Sequence, residues 1–438
     1  MLSRKQAERF GLEQRTHLGR AALAELAPRK FDPMAVLREA CRGHVARLVP
    51  EKFKRMKASP FAFFRGAVEI MAADLGAAKH TGIEVQLCGD AHLKNFGFFA
   101  GPAAEIVLDI NDFDQTQRGP WEWDVKRMAT SIVLAGRTAH SSNAQSRQAA
   151  LTFLEEYCAW IRRFAETPSI EVARHHATRD MSNRAMRAAL GQAERAGPLA
   201  NLSKLARRSG RRRYRLAHKP GLMWNVTGDE RRAVWDALPK YRQTLLPEHR
   251  FFFDRYQPAD VGFKVVGTGS VGTRDYVVLL FGRDQRDPLF LQIKEEPPSA
   301  YAPYYRDRTS PQQQGERVVQ GQRTMQTVSD PLLGWCSAGG RDFLVRQLND
   351  HKASLEPESL KPGQLAEYGR VCAELLAKGH ARFGDPAALS AYLGRSGKAA
   401  RALLQFADKY AGQTEKDLQT FKKALKKGFA AAVVKGLR

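Results

Sequence analysis

Two groups of motif residues lie roughly 150 residues apart in this chain, and neither makes a site alone. The first is Gly89-Asp90-Ala91-His92-Leu93-Lys94-Asn95, followed by Asn111-Asp112-Phe113-Asp114. The second is Gly267-Thr268-Gly269-Ser270-Val271-Gly272, followed by Leu291-Gln292-Ile293-Lys294. The first offers carboxylates and a side-chain amide. The second offers backbone amides and an ammonium. A fold that serves both must bring the middle of the chain back onto its first quarter.

The first group suits phosphoryl transfer, which needs a carboxylate near the attacking hydroxyl and oxygen ligands for magnesium. Asp90 follows a short apolar strand at a glycine, so its carboxylate projects from a tight turn. Asn95 brings a neutral amide oxygen five residues later, and Asp112 returns across a hairpin 22 residues after Asp90. Magnesium takes few protein carboxylates and fills its shell with phosphate oxygens, so one Asp and one Asn are adequate. Asp112 is preferred over Asp109, which reads as structural, and Asp114 is a candidate second ligand. His92 is expected to orient the loop. Lys94 reads as a phosphate contact or a solvated lysine.

In the second group, glycines let a backbone approach phosphates and present amide donors. A dinucleotide fingerprint of this form needs a following helix, yet Asp275–Leu280 reads as a strand. Strand, glycine loop, strand is instead the kinase arrangement. Lys294 ends a third apolar strand, where its ammonium can hold phosphate oxygens. Its acidic partner is expected from the next helix: Glu316, 22 residues on, with Gln320 one turn further as the alternative occupant. Asp124, 12 residues beyond Asp112, either accepts amides of the catalytic loop or serves as an ordinary N-cap. Arg65 and Arg346 contact phosphate or pair with acids. His380 reads as a satisfied structural histidine.

Periodicity places helices over residues 4–50, broken at Pro28 and Pro33, then Trp123–Gly136, Ala144–Glu166, residues 167–200, Gln312–Val328, Gln364–Phe383, Leu389–Tyr392 and Ala399–Leu437. Ser59–Gly66 reads as an aromatic turn leading into a helix. Residues 84–88 read as a strand, 95–99 and 105–110 as a hairpin. Arg212–Ala217, Gly262–Val266, Asp275–Phe281, Leu289–Lys294 and Asp342–Leu348 are the remaining strand candidates. The expected division is a helical segment 1–50, a helical unit 51–200 with the catalytic motifs, a β-rich nucleotide-binding unit 201–350, and C-terminal helices 351–438 that complete the helical unit.

Composition excludes some alternatives. With 43% apolar and 26% charged residues, the 438-residue chain is of globular type, with no run long enough for a membrane helix. The charged N-terminus lacks a secretory apolar stretch, so a cytoplasmic location is expected. Five scattered cysteines show no ligand spacing, which argues against a zinc site or a disulfide framework. The net charge of +24 attracts anions: nucleotides, phosphorylated substrates, nucleic acid or anionic lipid. Part of it is concentrated at Arg207, Arg208, Arg211, Arg212, Arg213 and Arg215, and part in the C-terminal lysines.

Ser59–Gly66, Cys88–Gly97, Asn111–Asp114 and Gly119–Asp124, with the later segments 267–274, 291–295, 317–326 and 345–348, resemble the DUF2252 family of uncharacterised bacterial proteins. The likeness covers most of residues 50–385 and implies no established activity. More remotely, Gly89–Asn95 and Asp112 resemble the catalytic loop and metal-binding aspartate of aminoglycoside phosphotransferases and choline kinases. That resemblance implies an α+β, protein-kinase-like fold with a small antiparallel β lobe and a larger helical lobe. It implies Asp90 as catalytic base, Asn95 and Asp112 as magnesium ligands, and ATP or another NTP as cofactor. Those enzymes place the glycine loop before the catalytic loop. Here it comes after, which implies a circular permutation.

The expected function is an ATP- and magnesium-dependent phosphotransferase acting on an unidentified small-molecule or protein hydroxyl. The same residues permit AMP transfer. A metal-dependent phosphoesterase is a second class, opposed by the lack of GNH[DE] and GHxH segments. A non-catalytic nucleotide or nucleic-acid binder is a third, favoured by the charge and opposed by the lack of aromatic residues between the arginines.

Overall fold

The β-branched and apolar runs in the middle of the chain form a six-stranded antiparallel sheet. The computed structural model describes residues 2–102, 105–177, 184–210, 214–267, 269–348 and 351–437. Twelve strands occur among them, numbered in chain order. β1 is Glu84–Leu87, β2 Phe96–Ala100, β3 Ile106–Ile110, β4 Gln117–Pro120, β5 Ala206–Arg208 and β6 Tyr214–Leu216. β7 is Met223–Asn225, β8 Gln257–Lys264, β9 Asp275–Phe281, β10 Pro288–Glu295, β11 Gly334–Ala338 and β12 Arg341–Gln347. The large sheet has the order β11-β12-β10-β9-β8-β7; β1 pairs with β4, β2 with β3 and β5 with β6.

Period-two alternation distributes the sheet's apolar side chains over two cores. Val278, Leu280, Leu291 and Ile293 join Val234, Ala237, Leu238 and Tyr241 of the helix Gly228–Thr244 on one face. Val277, Leu279 and Phe290 meet Leu202, Leu205 and Leu216 on the other. Because both faces are covered, β9 and β10 read as continuous apolar runs rather than as alternating strands.

The helical body is built around the helix Glu122–Thr138, which is buried from Glu122 to Gly136. A helix buried on every side belongs at the centre of a bundle. The helices Asn143–Glu166, Pro362–Phe383 and Lys398–Lys426 pack against it. Both ends of the chain enter this body. Arg29 bridges Asp74, through its Nε at 2.8 Å, and Asp417, through its Nη1 at 2.8 Å. The protein is thus a mixed α+β structure with small antiparallel sheets, and among the described residues no helix is long and apolar enough to cross a membrane.

Several local expectations change. Ser59–Gly66 is not a turn: Ser59 accepts from the amide of Ala62 and Pro60 opens the helix Pro60–Gly66, an ordinary N-cap followed by proline at the first helical position. The C-terminal helix divides at Gly428, whose φ of 86° suits glycine, into Lys398–Lys426 and Phe429–Gly436. A helix also forms over Gly228–Thr244, where the sequence reading placed no element, with Pro239 inside it. Of the strand expected at Arg212–Ala217, Tyr214–Leu216 is present; Arg212 and Arg213 lie outside the described residues, as does Arg211.

Asp275, the first residue of β9, is buried opposite Lys294 in the sheet register. One of its oxygens accepts from Gln292 Nε2 at 2.6 Å, while the other has no partner. Burial pushes its carboxyl up to about 6, against the opposing pull of Lys294 and the Gln292 bond. A folded pKa above the unfolded one means that stability is fully present below about pH 4 and is lost as pH rises through about 6. Asp275→Asn should therefore stabilise the fold by up to about 3 kcal/mol near neutral pH and by less near pH 5. Thermal unfolding at the two pH values checks both sign and trend.

Candidate functional site

The loop after β1 turns at Gly89, whose φ is 83° and where a Cβ would lie 2.1 Å from the carbonyl oxygen of Gln115. Only glycine is compatible with that turn. Asp124, in the first turn of the helix Glu122–Thr138, accepts from the amides of Cys88 at 2.8 Å and Gly89 at 3.0 Å. His380 Nε2 lies 3.3 Å from the same carboxylate, and its Nδ1 is 2.7 Å from the Tyr157 hydroxyl. Tyr368 donates to the carbonyls of Leu93 at 2.9 Å and Phe96 at 3.0 Å. Lys378 pairs with the buried Asp109. Tyr368, Lys378 and His380 all come from the helix Pro362–Phe383, so a late helix holds an early loop.

Asp90 projects from this loop. Its Oδ1 accepts from Arg127 Nε at 2.6 Å and lies 2.5 Å from Nη2, while Oδ2 faces His92 Nε2 at 3.5 Å. Arg127 is fully buried and also donates to the carbonyl of Phe64 at 3.1 Å. Burial raises the Asp90 carboxyl above its ordinary value even though Arg127 opposes the shift. Burial, reinforced by Arg65 and Arg127, holds His92 well below the usual imidazole range, so the ring is neutral at pH 7. Asn95 donates its amide nitrogen to the carbonyl of Asp90 at 2.8 Å. That bond uses the donor end and leaves Oδ1, the end that can ligate a cation.

The amide of Asn111 donates to the carbonyl of Asn95 at 2.7 Å, closing the base of the β2–β3 hairpin and delivering Asp112 and Asp114 beside the loop. There they meet Lys294 of β10. Its Nζ donates to Asp114 Oδ1 at 2.5 Å and lies 3.6 Å from Asp112 Oδ1. Burial pushes both carboxyls up. Lys294 outweighs it at Asp112, which sits below the ordinary range, whereas burial and then the charge of Asp112 push Asp114 up to about 6. Lys294 is itself raised, because the two carboxylates outweigh its burial.

The acidic partner of Lys294 is therefore not Glu316. Glu316 Oε1 accepts from Gln320 Nε2 at 3.0 Å on the outer side of the helix Gln314–Met325. The next residue, Arg317, faces the site and donates to the carbonyls of Thr116, Asp114 and Pro297 at 2.6, 2.9 and 2.9 Å. A step of one residue turns a helix by about 100°, which separates the two side chains. Arg346 braces the same region through Gln292 Oε1 at 2.9 Å and the carbonyl of Asn111 at 3.1 Å.

The glycine loop joins β8 to β9, with Thr268 outside the described residues. Its carbonyls turn toward the N-terminal segment. Lys52 Nζ donates to Gly269 O at 2.9 Å, Arg55 Nη1 to Gly267 O at 2.5 Å, and the amide of Val45 to Gly272 O at 2.7 Å. Gly272 has a φ of 114° and a Cβ there would strike the His44 ring at 2.4 Å.

A cavity of about 900 Å³ lies between these parts. Asp90, His92, Asn95, Asp112, Asp114, Gly267, Gly269, Ser270 and Arg65 line it. Lys294 reaches it through its two carboxylates. Gly272, Asp124, Arg346 and Glu316 do not line it. Arg207, Arg208 and Arg215 are exposed on the β5–β6 hairpin, also off the cavity. Among the described residues no group of three His, Cys, Asp or Glu side chains is placed to hold a metal ion alone. The donor set of Asn95 Oδ1 with Asp112 and Asp114 fits magnesium that draws its remaining ligands from phosphate and water.

Three site residues carried no role in the sequence reading. Arg127 lies three residues after Asp124, one helical turn along the same face, which is the only signal for it. Lys52 had none. Glu296, two residues beyond Lys294, has both carboxylate oxygens buried without a hydrogen-bond partner. Burial, then Asp114, pushes its carboxyl well above the ordinary range.

Removing the ammonium leaves Asp112 and Asp114 side by side on the cavity wall without their cation. Lys294→Met should cost about 1–3 kcal/mol, less than breaking a fully buried ion pair, because water reaches the Asp112 carboxylate. Millimolar magnesium should recover part of that loss. Thermal unfolding of both proteins with and without the metal measures it.

No curated protein and no solved structure matches the chain. One family does, described as an uncharacterized protein conserved in bacteria, and it matches residues 42–424, most of the length. The protein whose early loop, hairpin and central glycine loop enclose this cavity belongs to the DUF2252 family.

Proposed function

We propose that the cavity binds a nucleoside triphosphate with magnesium and that the protein transfers its terminal phosphoryl group to a hydroxyl-bearing acceptor. The observation that carries this reading is the contact of Lys294 with Asp112 and Asp114 beneath the same cavity that Asp90, Asn95 and the glycine loop line. A glycine loop between two strands, a lysine on the next strand and a helix after it are the parts that kinases use for nucleotide phosphates.

The sheet order supports a protein-kinase-like, permuted arrangement. β8 and β9 flank the glycine loop, β10 carries Lys294, the helix Gln314–Met325 follows, and β12 then β11 complete the sheet beside β10. The helix Pro362–Phe383 comes later in the chain yet cradles the catalytic loop, as a permuted connection requires.

In this reading the glycine loop covers the triphosphate, and Lys294 exchanges part of its carboxylate contact for phosphate oxygens. Magnesium, when bound, neutralises phosphate charge, and Asn95, Asp112 and Asp114 would hold it. Asp90 orients the acceptor hydroxyl with Oδ2 and takes its proton. Arg127 holds Oδ1 and fixes the carboxylate's rotation. The raised proton affinity of Asp90 improves it as a base.

Calorimetric titration of ATP with magnesium tests the reading. Wild type should bind only with the metal present. Asp112→Asn and Lys294→Arg should each weaken binding by at least about tenfold, or about 1.4 kcal/mol. Folded wild type that takes up no nucleotide at any magnesium concentration would sink the proposal.

A further inference from the structure

Six cationic side chains line the cavity, and four of them are engaged within the protein. Arg42 pairs with Glu39, Lys94 with Glu356 and Arg341 with Glu295, while Lys52 donates to the carbonyl of Gly269. Lys352 and Arg65 have neither an ion pair nor a hydrogen bond among the described residues. Lys352 sits in the field of Arg346, Asp112 and Lys294. Arg65 sits on the other side, in the field of Asp90 first and then of Glu358, Glu356 and Asp112.

The position of Arg65 is specific. It ends the helix Pro60–Gly66, and its own carbonyl oxygen lies 3.1 Å from where a Cβ on Gly269 would be. Its guanidinium carbon is 5.6 Å from the centre of the Phe61 ring, and its Nε is buried with no hydrogen-bond partner. The residue thus lies on the cavity wall, with its backbone against the glycine loop and its charge in the field of Asp90. Burial lowers its proton affinity only from a very high starting value, so it remains charged. A guanidinium held largely out of water without a carboxylate at contact distance is costly unless an anion completes it.

We infer that Arg65 is a catalytic residue that contacts the transferred phosphoryl group, a cation supplied in cis by the helix that precedes the catalytic loop. The inference rests on the nucleotide-dependent reading above and deepens it. In the transfer step the acceptor oxygen bonds to the terminal phosphorus. The bond from that phosphorus to the β–γ bridging oxygen breaks, and the nucleoside diphosphate leaves with the electron pair. The hydroxyl proton passes to Asp90. Charge then spreads over the three oxygens of the group in flight, where the planar guanidinium fork can donate two hydrogen bonds. Lys294 and the glycine loop hold the nucleotide on the other side.

Calorimetry with two probes separates this role from nucleotide binding in general. Magnesium–ADP reports the nucleotide site. Magnesium–ADP with fluoroaluminate mimics the group in flight. Wild type should bind the second more tightly. Arg65→Gln should keep its affinity for magnesium–ADP within about threefold and lose about 100-fold or more for the fluoroaluminate complex, the scale of arginine contributions to phosphoryl transfer. Arg65→Lys, which keeps the charge and not the fork, should recover only part of the loss. Its retained melting temperature serves as the folding control. Equal loss of both probes in the folded variants would make Arg65 structural and overturn the inference. So would no loss in either, or no gain from fluoroaluminate in wild type that binds magnesium–ADP. Wild type that binds neither probe overturns the nucleotide reading itself, and this inference with it.

Discussion

The contact of Lys294 with Asp112 and Asp114 is the constraint around which the rest of the molecule is arranged. It joins the third strand of a sheet from the middle of the chain to a hairpin from its first quarter. The ammonium is withdrawn from water, which is tolerable because the two half-buried carboxylates compensate it. Arg317 and Arg346 reinforce the junction by donating to backbone carbonyls on the hairpin side, so the carboxylates stay committed to Lys294. Glu296 adds a further acid with no partner.

The Gly89–Asn95 loop is held from the other direction. Asp124 accepts two loop amides, His380 contacts Asp124, and Tyr368 donates to two loop carbonyls. These groups sit on helices that begin 27 residues after Asn95 in one case and 267 in the other. The loop's geometry thus depends on both halves of the helical body. Lys52, Arg55 and Val45 hold the glycine loop in the same manner, by taking its carbonyls. Short-range sequence supplies the turns, and long-range donors decide how those turns face the cavity.

Much of this was legible in the chain. The strand into Gly89, the hairpin to Asp112, the strands flanking the glycine loop and the strand ending near Lys294 all follow from local apolar periodicity and glycine punctuation. What escaped were partners. Glu316 was the expected mate of Lys294 because spacing on a helix follows sequence, yet the helix presents Arg317 to the site instead. Arg127 lies one helical turn beyond Asp124, but nothing in its neighbours says that it reaches Asp90. The helix Gly228–Thr244 also went unread; it contains Pro239, which opposes helix, and the packing of Val234, Leu238 and Tyr241 outweighs it.

By itself the sequence determined the mixed helix and strand content, the family, and the chemical identity of the groups available: carboxylates, an amide, a lysine and glycines. These follow from residue type and from periods of 3.6 and 2, which are local properties of the chain. Only the tertiary structure decided that the two groups share one cavity, which acids face Lys294, and which cations of the cavity wall lack a partner among the described residues. Those are matters of distance and burial between segments far apart in the chain. A charge acquires its strength and its proton affinity from the neighbours and the water that folding leaves around it.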